Sequence, residues 1–294
     1  MAKMPFALRA RCEWKLRTRS LPLGERTILM GVLNTTPDSF SDAGAFATPA
    51  AAIEHALAMF EEGADIVDIG GESTRPGKRR PLGIQEEIDR VLPVLEDILR
   101  YRPHAILSVD TYKSQTAAAA LEAGAEIVND VSGFLWDEAM AQVCAAARCG
   151  VVLMHTRGRP EEWHTLPALD PNQVVPHVRQ ALHHRLRQAL ESGIERDRIV
   201  LDPGFGFGII AGENYPLLAG LGQLSALGQP LLAGVSRKSF LAKDIPAERR
   251  GNASLAAATA AILAGAHLLR VHDMRPTREA ASVADAILAA SEKT

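Results

Sequence analysis

Eight polar clusters, each directly after a short apolar run, hold the residues of this sequence that could do chemistry. They begin with Asn34-Thr35-Thr36-Pro37-Asp38-Ser39-Phe40 and the segment 70–77, GGESTRPG. Asp110-Thr111, Asn129-Asp130 and Met154-His155 follow, and then Asp202-Pro203-Gly204-Phe205-Gly206-Phe207-Gly208. Ser236-Arg237-Lys238-Ser239 and Arg270-Val271-His272-Asp273 complete the set. Asp110, Asn129 and Asp202 offer hydrogen-bond acceptors, and Asn129 donors as well, to a flat heterocycle with an amino-pyrimidinone edge. Two carboxylates there also favour a ring that becomes cationic. Arg75, Lys238, Arg270 and His272 supply positive charge, and each arginine can hold a phosphate through two parallel N–H groups. The pattern is an acceptor-lined pocket beside an anion clamp.

The bland alternative for any one of these residues is a helix cap, the usual duty of a lone Asp after a strand. Eight such groups in phase with eight apolar runs argue against that reading for the set. Other features take the bland reading. Gly204 to Gly208 lack the spacing of a dinucleotide-binding loop and form a close-approach loop instead. His183-His184 belong to a solvated helix face, and Glu161, Glu162 and His164 to a surface loop. No Ser-His-Asp or Cys-His order and no transition-metal cluster stands out.

The elements that must position these groups are legible. Apolar runs fall at 28–33, 65–69, 105–109, 126–128, 151–154, 198–201, 230–233 and 268–271. They are apolar on both faces rather than alternating, as parallel strands covered by helices require. Between them lie helical patterns at 50–63, 114–124, 172–193, 253–265 and 277–290, the first two stopping at Gly63 and Gly124, the last opening at a Thr277 cap. Eight strands alternating with helices predict an α/β fold, a (β/α)8 TIM barrel, with a doubly wound open sheet as the rival. In a barrel the polar clusters share the face at the strands' carboxyl ends, and the loops after the last two strands are its usual phosphate corner. Residues 1–25 precede the first strand and form a short N-terminal hairpin extension over the barrel's bottom. The range 1–294 reads as one domain.

Composition agrees. The 294 residues are 47% hydrophobic with a net charge of −3, enough for one large core and no global field for nucleic acid. Cys12, Cys144 and Cys149 form no disulfide framework, which suits a reducing compartment; the last two lie in an Ala-rich helical stretch as small buried hydrophobes. The basic segment 1–20 lacks a signal peptide's apolar core, and Leu255 to Leu269 is too short to span a bilayer. No membrane role and a cytoplasmic location are expected.

Taken together, the first two clusters, Ser108-Val109-Asp110-Thr111, Asn129-Asp130, Leu153-Met154-His155, Leu201-Asp202-Pro203-Gly204, the SRKSF segment 236–240 and Arg270-Val271-His272-Asp273 resemble the dihydropteroate synthases, pterin-binding TIM barrels. The motifs come in the family's order across roughly residues 28–290. The resemblance implies a homodimer that condenses 6-hydroxymethyl-7,8-dihydropterin diphosphate with p-aminobenzoate, giving dihydropteroate and diphosphate, assisted by Mg2+. It implies that Asp110, Asn129, Asp202 and Lys238 hold the pterin, with Met154 near its floor. Asn34, Thr74, Arg75, Arg270 and His272 surround the diphosphate, Asn34 also beside Mg2+. Thr74, Pro76 and Ser239 border the p-aminobenzoate pocket, with Phe40 and Phe207 as apolar contacts. Asp38 supports a pterin-methyl cation formed when diphosphate leaves, and loops 34–45 and 72–82 close over the substrates. One departure is visible: Ile209 follows Gly208 where the family often has Lys.

Two other functions fit parts of the pattern. A pterin-binding methyltransferase working with a corrinoid protein would share Asp110, Asn129 and Asp202 but has no need of Arg270, His272 or SRKSF. A non-catalytic binding homologue would be expected to lose clamp residues first, yet Asn34, Arg75, Lys238, Arg270 and His272 are all present.

Overall fold

The computed structural model describes residues 6, 8–35, 49–72 and 81–291. Eight parallel strands close a barrel: β3 (Ile28–Asn34), β4 (Ile66–Gly70), β5 (Leu107–Asp110), β6 (Ile127–Asp130), β7 (Gly150–Met154), β8 (Ile199–Asp202), β9 (Leu232–Ala233) and β10 (Leu268–Val271). Their order is β8-β7-β6-β5-β4-β3-β10-β9, and a parallel bridge from Leu201 to Leu231 joins the two edges. The (β/α)8 barrel is therefore the fold, and the open sheet is excluded.

Helices α1 (Pro49–Glu61), α2 (Ile84–Tyr101), α3 (Ser114–Glu122), α4 (Met140–Ala147), α5 (Pro171–Glu191), α6 (Asn214–Ala219), α7 (Gly251–Leu263) and α8 (Met274–Ser291) cover the outside. Strand side chains alternate between two buried clusters, as a period of two demands. Leu29, Val67, Val109, Val151 and Leu269 pack outward on the helices. Ile28, Met30, Ile66, Ile127, Val152, Val200, Leu232 and Leu268 fill the barrel's interior.

The lower end of that interior is sealed by an antiparallel hairpin, β1 (Cys12–Lys15) and β2 (Ser20–Leu23). Its Trp14, Leu16 and Leu23 join the inner cluster, and the Trp14 indole N–H donates to the Arg198 carbonyl at 2.8 Å. Gly150 starts β7 here because a Cβ would stand 2.8 Å from Leu16.

Two helices lie outside the sequence reading. The six-residue α6 is too short to show a period. In α2 the apolar face of Val91, Val94, Leu95 and Ile98 is interleaved with charged residues and Pro93. Thr277 is not the cap of the last helix: α8 begins at Met274, and the Thr277 hydroxyl donates back to the Asp273 carbonyl at 2.6 Å. Cys144 lies within α4, Cys149 just past it, and both are buried thiols.

Candidate active site

The strand register alone assembles the pocket. Parallel pairing sets Asn34 beside Gly70, Gly70 beside Asp110, Asp110 beside Asn129, and Met154 beside Asp202. All stand level at the carboxyl end of the barrel, where backbone geometry aims them at a common centre. They line a cavity of about 340 Å³, together with Phe207, Lys238, Ser239, Arg270 and His272. Every described residue that the sequence marked for the site lies on this cavity. Asp38, Phe40, Thr74, Arg75 and Pro76, and most of loops 34–45 and 72–82, fall outside the described residues.

A charged network runs through the floor. Arg270 donates from Nε to Asp68 at 2.7 Å and from a terminal nitrogen to Asp110 at 2.6 Å. Asn129 donates from Nδ2 to the same Asp68 oxygen at 2.9 Å. That bond settles the Asn129 flip, leaving its carbonyl oxygen as the acceptor offered elsewhere. Asp68, wholly buried, was not singled out from the sequence. Its signal was a carboxylate inside an otherwise apolar run, a placement that needs a buried partner.

Burial dominates the titration of the carboxyls. It raises Asp110 to about 7 against the pull of Arg270, with Asp68, Glu87 and Asp130 adding to the rise. It raises Asp202 to about 6, opposed by the Gly204 N–H, Lys238 and Arg270. Both can therefore exchange a proton near neutrality, and both line the cavity. Asp130 is also raised to about 6 by burial, but it accepts from the Ser132 and Phe134 amides and shapes its own turn.

The β8 loop approaches its neighbours too closely for side chains. At Gly204, with φ at 74°, a Cβ would lie 1.9 Å from the His155 carbonyl oxygen. The amide of Gly204 donates to Asp202 at 2.8 Å, so the turn also orients that carboxylate. The His155 ring faces the Pro203 carbonyl at 3.2 Å and is held neutral, lowered to about 3 chiefly by burial. Its role is to fix the turn. The loop reading of Gly204 to Gly208 thus holds.

On the facing wall, the Lys238 ammonium sits 4.2 Å from the centre of the Phe207 ring, a cation–π contact. Trp163 meets the same ring edge-on at 5.2 Å and lines the cavity, although its loop looked uninformative in sequence. The Ser236 hydroxyl lies 3.0 Å from the His272 Nδ1 and accepts the His272 amide at 3.2 Å. Arg237 and Asp273, each in a motif, pair with one another. Glu72, at the cavity edge, forms a salt bridge with Lys113, which also binds the buried Glu87 at 2.8 Å. His183 and His184 are exposed on α5, and Glu161, Glu162 and His164 lie on an exposed loop. Among the described residues no group of three or more His, Cys, Asp or Glu side chains could hold a metal ion.

Comparison with known proteins gives this pocket a family. The model described as pterin binding enzyme matches residues 30–272. A dihydropteroate synthase of Synechocystis sp. is 40% identical over 268 residues, 90% of this chain and 91% of its own. One from Bacillus subtilis is 39% identical over 271 residues, 92% of this chain and 91% of its own. Among solved structures, Xanthomonas albilineans dihydropteroate synthase with 4-aminobenzoic acid superposes with a TM-score of 0.86 at 40% identity, covering 95% of this chain and 99% of that one. The same organism's enzyme in complex with 7,8-dihydropteroate gives 0.82 at 39% identity, covering 95% and 99%. The chain belongs to the dihydropteroate synthase family of pterin-binding enzymes.

Proposed function

We infer that the chain condenses 6-hydroxymethyl-7,8-dihydropterin diphosphate with p-aminobenzoate to give 7,8-dihydropteroate and diphosphate. The observation that carries this is the union, in one cavity, of acceptors (Asp110, Asn129, Asp202) with cationic groups (Lys238, Arg270, His272), Arg270 being paired with Asp68 and Asp110. The acceptors bind the pterin's amino-pyrimidinone edge. Arg270 and His272 face the diphosphate, joined by Thr74 and Arg75 from the second loop. Phe207, Ser239 and Pro76 border the arylamine. Met154 lies under the pterin.

The C–O bond to diphosphate breaks first, its electron pair leaving with the diphosphate. The pterin-methyl cation is stabilised by the buried carboxylates, with Asp38 as a further anion. The amine nitrogen then forms the C–N bond and releases its proton. No enzymic nucleophile is required. A divalent cation fits the donor set in one way. Asn34, at the cavity, would offer a hard amide oxygen to such an ion, with substrate oxygens and water making up the remainder, as Mg2+ prefers over an all-protein cage. When bound there, Mg2+ neutralises charge on the leaving diphosphate.

Helices α7 and α8 pack together, Val283 and Ile287 of α8 are exposed, and a second copy of the chain is the proposed occupant of the surface these helices present. No described helix is long and apolar enough to cross a membrane.

The test is diphosphate release by the purified chain with the pterin diphosphate and Mg2+, with and without p-aminobenzoate. Release dependent on p-aminobenzoate, with dihydropteroate appearing in step, is the expected result. Binding of methyltetrahydrofolate without any diphosphate requirement would transfer the site to methyl-transfer chemistry.

A further inference from the structure

The two lips of the arylamine side of the cavity come from different strands, β8 and β9, yet adjacent residues of α6 hold both. Asn214, 1% exposed, accepts the Gly206 amide at 2.8 Å and donates from Nδ2 to the carbonyls of Ile209 at 3.1 Å and Ala211 at 3.0 Å. Three bonds from one amide side chain thus close the loop that presents Phe205 and Phe207. The next residue, Tyr215, donates its hydroxyl to the Phe240 carbonyl at 2.7 Å and packs edge-on against the Phe240 ring at 5.6 Å. Phe240 in turn stacks on Phe205 at 6.2 Å. Between these two attachments, Lys238 lies over Phe207, and Ser239 lines the cavity.

A six-residue helix has little stability of its own. Its rigidity comes from the loops it ties, and their spacing comes from it. We propose that Asn214 and Tyr215 form a clasp that sets the distance between the Phe207 lip and the Ser239–Phe240 lip, making them positioning residues for the aromatic amine and not for the pterin. Asp110 and Asn129 lie on β5 and β6, held by strand pairing, by Arg270 and by Asp68, and the Asp202 carboxylate is held by the Gly204 amide. Loosening the Tyr215 arm, which ties only the Phe240 side, therefore leaves the pterin acceptors in place. The clasp also accommodates the Ile209 departure. That residue is 3% exposed, so its side chain packs inward while its carbonyl serves Asn214. The proposal rests on the arylamine reading of this side of the cavity.

Two measurements separate the clasp from that reading. In steady-state assays, Tyr215→Phe removes one hydrogen bond and no packing. It should raise KM for p-aminobenzoate about three- to tenfold, the size of one net hydrogen bond, with KM for the pterin diphosphate within twofold of the parent. Equal rises in both KM values, or no change in either, would overturn the assignment. Hydrogen exchange requires no turnover. Asn214→Ser should speed exchange in 204–211, and Tyr215→Phe in 236–241, relative to the barrel strands. If those segments keep parental protection in folded variants, the clasp does not exist, whatever the substrate. Faster exchange in the variants, alongside a parent chain that makes no dihydropteroate, would keep the clasp and refute only the arylamine reading.

Discussion

Asp68→Asn tests the electrostatic reasoning most directly, because the substitution keeps the side chain's shape and removes only its charge. Both bonds to Asp68 end on the same oxygen, from Arg270 at 2.7 Å and Asn129 at 2.9 Å. An amide oxygen can still accept both, so what is lost is the charge assistance. A bond to a charged group is worth about 1.5–3 kcal/mol and a neutral one about 0.5–1.5, so two such changes cost about 2–3 kcal/mol. The amide nitrogen would replace Oδ1, a buried atom without a partner, so it gains nothing there. Chemical denaturation should show that loss. The same change should act on Asp110, whose carboxyl is raised to about 7 partly by the Asp68 charge. Without that charge Asp110 holds its proton less tightly. The inflection in kcat/KM for the pterin diphosphate that follows Asp110 should then move to lower pH, and kcat/KM near neutrality should fall at least about tenfold as the anchor shared by Arg270 and Asn129 weakens. An unmoved inflection in a variant destabilised as expected would refute the proposed coupling between Asp68 and Asp110.

Other outcomes follow from the same geometry. Arg270→Ala leaves the buried Asp68 and the raised Asp110 without their cation, so kcat/KM should fall by a factor equivalent to several kcal/mol; near-normal kinetics would remove Arg270 from the mechanism. Gly204→Ala must push its Cβ away from a carbonyl 1.9 Å distant at a φ of 74°, costing about 2–5 kcal/mol in stability and releasing the Asp202 carboxylate; thermal melts and pterin affinity should fall together. His267 is lowered to about 4, chiefly by burial, with its ring between the Leu231 amide and the Ala10 carbonyl. Its folded value lies below the unfolded one, so the neutral ring stabilises the fold above about pH 6.5, and that contribution is lost as pH falls to about 4. His267→Gln should therefore flatten the fall in unfolding free energy between those pH values.

Sequence made the barrel legible because a buried parallel strand must be apolar on both faces, and each of the eight runs matched a strand to within one or two residues. Asp110, Asn129, Asp202, Lys238, Arg270 and His272 were legible for a related reason: a polar residue ending such a run has one place to go. Asp68 escaped because it stands inside a run, where only its three-dimensional partners explain it. Asn214 and Tyr215 escaped because their partners, Gly206, Ile209, Ala211 and Phe240, are mostly backbone groups, which have no sequence signature. Trp163 lies in a loop whose path depends on Phe207, a residue 44 positions away in the chain. The start of α8 was misplaced at Thr277 because a threonine one turn into a helix can bond back to a carbonyl as readily as it can cap.

The hairpin beneath the barrel has a consequence for how the chain is made. Trp14 finds its partner carbonyl 184 residues later, at Arg198, and Arg9 pairs with Asp285, 276 residues on. At ribosomal rates of about 5–20 residues per second, Trp14 waits on the order of ten to forty seconds after its synthesis before Arg198 exists. Through that interval the indole N–H lacks its native acceptor, and the barrel's base over it and two leucines is incomplete, since Val200, Leu232 and Leu268 of the same cluster come later still. Nascent-chain protection by a chaperone, or a slow final step in refolding that quenches with the Trp14 environment, is the expected signature of so distant a closure.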